Sequence, residues 1–273
     1  MSIFNANTND ALSEFVALWA SCIDADIDQQ HAIELATTAI KYYRGGDPMR
    51  LSMREMQDLE TRWYASLKTG TPDYTVYDDR YFISDLWACW IVYSRRYLLA
   101  LRSPKAMPQG MSIVDDIGPV SSIADLGCGI GYTTAALAEL FTHARVVGTN
   151  IAGTRQYIMA KLVGSMHGFN VVQSIKDVGR CDVVFASEYF EHIENALEHL
   201  SELIEICRPK AMIVANSFAT FSIGHFISYR YGSDLVPATK MGLRFNKLLR
   251  DHGYISVKTR FWNNRPAYWK ATR

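Results

Sequence analysis

The segment Ala124-Asp125-Leu126-Gly127-Cys128-Gly129-Ile130-Gly131-Tyr132 constrains the fold more than any other part of the chain. A short apolar run, Ser122 to Leu126, leads into three glycines at alternate positions, and a helical pattern from Thr133 to Phe141 follows. Glycine tolerates positive φ and carries no side chain, so the pattern predicts a sharp strand-to-helix turn with its main chain open to a ligand. No lysine follows the glycines, which removes the usual nucleoside-triphosphate loop. The spacing G-x-G-x-G also differs from the G-x-G-x-x-G of dinucleotide sites. A glycine trio alone does not name its ligand.

The chain has a different character on the two sides of this turn. From Ala11 to about Leu101 the apolar spacing is helical: Leu12, Phe15, Val16, Leu18 and Trp19 share one face, Ile33, Leu35, Ala36 and Ile40 another, and Met53, Met56, Leu59, Trp63 and Leu67 a third. Thr69 to Asp73 breaks the helical pattern, and Pro104 to Gly110 reads as a linker. Beyond it, strand patterns at Ser122–Leu126, Ala144–Gly148, Phe169–Val172, Asp182–Ala186 and Ala211–Ala215 alternate with helix patterns at Thr133–Phe141, Arg155–Met166 and Asn195–Cys207. This alternation predicts an α/β, doubly wound, mostly parallel sheet. The expected division is a helical, substrate-selecting cap over residues 1–110 and a ligand-binding domain over 111–273.

Composition narrows the class. The apolar fraction of 49% supports a packed core, and no apolar run reaches the 18 residues of a spanning helix. The opening MSIFNANTND lacks a basic stretch followed by an apolar one, so the expected location is the cytoplasm. Five scattered cysteines without a C-x-x-C pair read as buried thiols. The formal charge is zero, yet residues 1–118 hold 16 acidic against 11 basic side chains, and the stretch from Arg230 onward holds 10 basic against two acidic ones. Such a block is either a solvated basic face or a surface for an anionic partner.

Asp125 to Gly131 resembles motif I of the class I S-adenosylmethionine-dependent methyltransferases, and the likeness runs on over about residues 119–216. Val146 to Ile151 is similar to that family's second strand, Cys181 to Ala186 to its fourth, and Leu203 to Val214 to the helix, turn and fifth strand that follow. The resemblance implies a seven-stranded-type, Rossmann-like sheet and S-adenosylmethionine as cofactor. It also implies a cofactor site at Asp125, Gly127, Cys128, Gly129, Gly131, Tyr132, Asn150, Ile151, Ser187 and Glu188. Asp125 would receive the cofactor's ammonium group. Where the family usually has an acid that binds both ribose hydroxyls, this chain has Asn150, whose amide offers hydrogen bonds without charge assistance.

The acceptor side should lie at the carboxyl end of the fourth strand. There the chain reads Ser187-Glu188-Tyr189-Phe190-Glu191-His192, which makes His192, Glu188 and Glu191 the candidate catalytic residues. His192 would act as a base or an orienting group. Alternatively, Glu188-x-x-Glu191-His192 resembles the magnesium-binding segment of some O-methyltransferases, because positions i, i+3 and i+4 converge on one helical face. A divalent ion then stands as a possible second cofactor, with His225 as a further ligand, although no metal ligand set is assigned. The aromatic stretch Tyr74 to Tyr81, with Asp78, Asp79 and Arg80, is the candidate lid.

The expected activity is methyl transfer to an oxygen or nitrogen of a small-molecule acceptor, with no membrane partner. One alternative is a nucleic-acid methyltransferase that uses the basic 230–273 region, with Tyr229, Tyr231, Trp262 and Trp269 among its arginines. Another is a binding protein that keeps the fold without turnover.

Overall fold

The computed structural model describes residues 2–5, 7–22, 29–43, 50–261 and 265–272. Its helical front comprises α1 (Thr8–Cys22), α2 (Gln29–Tyr43) and α3 (Arg50–Lys68), then a 3-10 turn (Tyr74–Asp78), α4 (Arg80–Cys89), a π-helical turn (Trp90–Ser94), α5 (Arg95–Ala100) and the short α6 (Ile113–Ile117). Asp73 and Asp79 start the two elements after the break, each accepting a backbone N–H two residues on. The faces read from the sequence are buried at Phe15, Trp19, Leu35, Ala36, Leu59 and Trp63; the Met53 side chain lies outside the described residues.

The second part alternates as its pattern predicts. β1 (Ser122–Leu126), α7 (Tyr132–Leu140), β2 (Arg145–Thr149), α8 (Arg155–His167), β3 (Asn170–Val172), α9 (Ile175–Val178), β4 (Val183–Ser187), a 3-10 turn (Phe190–His192), α10 (Ala196–Cys207) and β5 (Ala211–Ala215) follow in order. After β5 come a separate hairpin of β6 (Ser228–Tyr231) and β7 (Asp234–Pro237), then α11 (Ala238–Asp251), β8 (Tyr254–Val257) and β9 (Ala267–Ala271). The seven-stranded sheet has the order β3-β2-β1-β4-β5-β9-β8. Its first five strands run parallel, while β9 is antiparallel to both of its neighbours. Strand order therefore reverses between β1 and β4, where an open α/β sheet leaves a crevice at its carboxyl edge.

Alternate strand residues feed two cores. Ile123, Val146, Val183, Phe185 and Ile213 face one side, and Ala124, Val147, Val184, Met212 and Val214 the other. The helical front joins both. Phe15, Trp19, Trp87 and Leu98 pack into the first core, and Leu59, Trp63 and Val76 into the second. The stretch from Pro104 to Gly110 is not a loose tether, because Met107 is fully buried and the Ala106 carbonyl accepts from the Arg260 N–H at 2.8 Å. Among the described residues no helix is long and apolar enough to cross a membrane.

Candidate active site

The glycine turn leaves β1 at the switch point. Gly127, Gly129 and Gly131 have φ of 63°, 55° and 95°, the left-handed region that favours glycine. Thr149 at the end of β2 pins the turn: its hydroxyl accepts from the Gly127 N–H at 3.1 Å and its carbonyl from the Cys128 N–H at 2.9 Å. The residues of the turn face different ways. Gly127 is exposed, whereas Cys128 is buried and packs on Gly148. Gly131 lets α7 approach α8, since a Cβ there would lie 3.1 Å from the Ala160 Cα. Tyr132 turns away from the crevice and stacks on Trp90, with ring centroids 5.9 Å apart.

Asp125 is the last residue but one of β1 and is only 2% exposed. Its Oδ2 accepts from the Thr134 hydroxyl at 2.6 Å. Burial pushes its carboxyl up to about 7, against the opposing pull of the Thr134 and Thr133 hydroxyls. A buried carboxylate held only by hydroxyls is short of a cation, so the site fits an ammonium group. Asn150 is turned onto the loop, its Nδ2 donating to the Gly129 carbonyl at 2.7 Å and its Oδ1 accepting from the Ile151 N–H at 2.8 Å. One amide N–H and one lone pair remain for a ribose hydroxyl. Ile151 is exposed, and half-buried Ser187 pairs with Ala215 across the neighbouring strand.

Beyond β4 the chain bends at once. Glu188 has φ of 51°, and its N–H donates to the Ala215 carbonyl at 2.7 Å. Its carboxylate pairs with Arg265, which also reaches the Ser217 hydroxyl. Tyr189 lies over Gly127, where a Cβ would come within 2.5 Å of its ring, and its hydroxyl bonds His199 Nε2 at 2.8 Å. Glu191 is fully buried; Oε1 accepts from the Ser217 N–H at 2.5 Å, and Oε2 has no hydrogen-bond partner. Burial, then the Glu188 charge, push its carboxyl well above the usual range.

The two histidines have separate settings. His192 Nδ1 shares a 2.8 Å hydrogen bond with the Tyr77 hydroxyl, and burial, then His225, lower its pKa to about 3. His225, on the loop after β5, directs Nδ1 to the Thr220 carbonyl at 2.8 Å. Its own pKa is lowered by burial, against the pull of the Thr220 and Ser217 carbonyls. The histidine that joins both carboxylates is therefore His225: one donor atom from each of Glu188, Glu191 and His225 lies within 4.8 Å of the others. The convergence of Glu188, Glu191 and His192 assumed an α-helical turn. Residues 190–192 form a 3-10 turn and Glu188 precedes it in a left-handed conformation, which sends His192 toward Tyr77 instead.

Tyr77 comes from the aromatic stretch of the front, which is tied across the crevice. Asp78 accepts from the Arg155 N–H at 2.7 Å, and the Tyr77 carbonyl accepts from Gln156 Nε2 at 2.5 Å. Leu86 of α4 faces Gly129. Sequence reasoning did not single out Gln156, Ser217 or Arg265 for the site. They reach it from α8, the loop after β5 and the approach to β9, and no local motif marks them.

Part of the basic C-terminal stretch is paired. Arg230 meets Glu194, Lys247 meets Asp251, Lys270 meets Asp116, and Arg250 sits over the Trp269 ring. Tyr229 and Trp269 are core residues, at 0% and 2% exposure, while Trp262 lies outside the described residues.

Strand order, glycine turn and buried acid define a Rossmann-like methyltransferase fold. Residues 124–215 match the family described as a methyltransferase domain. Over 95 residues the chain is 33% identical to a trans-aconitate 2-methyltransferase of Rhodopseudomonas palustris strain BisB18, and 30% identical to its counterpart in strain BisA53. Each match covers 33% of this chain and 36% of the relative, so the chain spans about a third of the length of these curated relatives. An O-methyltransferase family protein from Burkholderia thailandensis shares the fold, with a TM-score of 0.50 and 12% identity over 81% of this chain and 71% of that one. The likeness over residues 124–215 is to a methyltransferase domain, and the fold is that of the class I, S-adenosylmethionine-dependent methyltransferases.

Proposed function

We propose that this protein moves a methyl group from S-adenosylmethionine to an oxygen or nitrogen of a small-molecule acceptor. The observation that carries the reading is the buried, cation-deficient Asp125 beside a left-handed glycine turn at the switch point of a sheet of this class. Asp125 would hold the ammonium group, the backbone of Gly127 and Gly129 would lie against the amino-acid portion, and Asn150 and Ile151 would face the ribose. Cys128, Gly131 and Tyr132 contribute by shaping the turn, and Ser187 and Glu188 border the reacting end. When bound, the cofactor supplies an electrophilic methyl group on a sulfonium.

The remaining task of the chain is orientation and exclusion of water. Tyr77 and Leu86 close over the crevice from the front helices, and the Tyr77–His192 pair offers hydrogen bonds beside the end of β4. His192, neutral and weakly basic because of its burial, suits an orienting role better than proton removal at neutral pH. The ion pairs of Arg230, Lys247 and Lys270 and the burial of Tyr229 and Trp269 favour a small acceptor over nucleic acid. The Rhodopseudomonas palustris relatives, named as trans-aconitate 2-methyltransferases, point the same way.

The test combines calorimetry with S-adenosylhomocysteine and transfer of labelled methyl to panels of small acids, phenols and amines, alongside an RNA oligonucleotide. The expected result is saturable binding of the nucleoside and labelling of a small acceptor. Absence of nucleoside binding, or labelling of the oligonucleotide with steep salt dependence, would overturn the proposal.

A further inference from the structure

Three side chains at the carboxyl edge of the sheet are oriented in the same manner. Each has one polar atom fixed by a protein partner. Glu188 Oε1 is held by Arg265, Glu191 Oε1 by the Ser217 N–H, and His225 Nδ1 by the Thr220 carbonyl. Because a carbonyl only accepts, the His225 proton sits on Nδ1, and in the neutral ring the lone pair is on Nε2. This is the second-contact arrangement that metal-ligating histidines use. Glu191 Oε2, in a side chain with no solvent exposure, has no hydrogen-bond partner at all. An orphaned carboxylate oxygen inside a protein is costly unless something cationic meets it. Arg265 does not fill that role, since it reaches Glu188 and the Ser217 hydroxyl.

We infer that Glu188, Glu191 and His225 bind one divalent metal ion. Their donor atoms already lie within 4.8 Å of one another, and small side-chain rotations reach the separations that metal–ligand bonds of about 2.1 Å demand. Two carboxylates and one imidazole suit manganese or zinc better than a soft, thiolate-seeking ion. Three protein ligands leave coordination positions open, which water or an acceptor oxygen could take. The binding claim stands apart from the methyl-transfer reading. Only the use of the ion to polarise an acceptor oxygen rests on that reading.

The experiment titrates manganese(II) into the full chain, metal-stripped beforehand, and counts bound ion by electron paramagnetic resonance. S-adenosylhomocysteine affinity and circular dichroism are measured on the same samples. We expect one saturable site per chain, weakened at least about tenfold in Glu191→Gln and in His225→Gln, and little changed in His192→Gln. Glu191→Gln keeps the oxygen that meets the Ser217 N–H, so it reports on the lost charge with the local hydrogen bond intact. Absence of a saturable site in chain that is folded would overturn the inference. So would unchanged manganese affinity in folded Glu191→Gln, or loss in His192→Gln with retention in His225→Gln. Failure of nucleoside binding with manganese binding intact would strike the methyl-transfer reading alone.

Discussion

Burial makes Asp125 hold its proton up to about pH 7, whereas only its ionised form attracts a cationic ligand. Its folded pKa of about 7 lies above the ~3.9 of an exposed aspartate, so between these values the native state holds the proton more tightly than the unfolded chain. Stability therefore falls as pH rises from about 4 to about 7 and is level above. Asp125→Asn, which can still accept from Thr134, removes this loss. Urea titrations should find the variant matching the parent near pH 3 and more stable by about 2–4 kcal/mol at pH 8. Calorimetry at pH 8 should find its affinity for S-adenosylhomocysteine reduced at least about tenfold. The parent's own affinity should weaken as pH drops below about 7. Parallel stability curves for the two proteins would show that burial does not govern this carboxyl.

At the scale of elements, the glycine turn is one local device and the loop after β5 is another. Gly224 has φ of 83°, and a Cβ there would fall 2.1 Å from the Tyr77 hydroxyl and 2.5 Å from His192 Nδ1. Gly224→Ala should thus part Tyr77 from His192 and destabilise the fold by about 1–3 kcal/mol. Tyr77→Phe should remove the same hydrogen bond without added bulk. For both variants we expect a methyl-transfer rate lowered about tenfold or more, with nucleoside affinity changed far less, read by separating kcat from KM. An equal fall in affinity would place Tyr77 on the cofactor side. These devices were unequally legible in the sequence. The turn and the first five strands announce themselves through contiguous apolar runs and glycine spacing, and β5 is found where Ala211 to Ala215 predicts it. Tyr77, by contrast, meets His192 across 115 residues and Arg265 meets Glu188 across 77, so no local pattern records either pair. The i, i+4 spacing of Glu188 and His192 even misleads, because the backbone there is 3-10 and left-handed. The β6–β7 hairpin escapes as well, its strands being too short to show a period.

At the scale of the whole molecule, the composition shift near residue 110 marks a change of architecture inside a shared core. Ile3, Phe15, Trp19, Trp87, Trp90, Leu98 and Leu101 of the front are buried in the cluster that also holds Ile123, Leu137, Val183 and Phe185 of the sheet part. Trp90 stacks on Tyr132, and Tyr97 on Phe185 with ring centroids 6.3 Å apart. Burial of a large apolar side chain is worth roughly 1.5–3 kcal/mol. Losing seven such partners would exceed much or all of the roughly 5–15 kcal/mol that stabilises a typical domain. The chain should therefore unfold as one cooperative unit. Four of its six tryptophans, Trp19, Trp63, Trp87 and Trp90, lie in the front, so their fluorescence weights the helical part while far-ultraviolet dichroism reports both parts. The two signals should trace one coincident urea transition, and residues 111–273 expressed alone should lack a cooperative transition and bind no S-adenosylhomocysteine. Separated transitions, or a truncated chain that folds and binds the nucleoside at full affinity, would mean that the front is an independent cap whose packing against the sheet contributes little to stability.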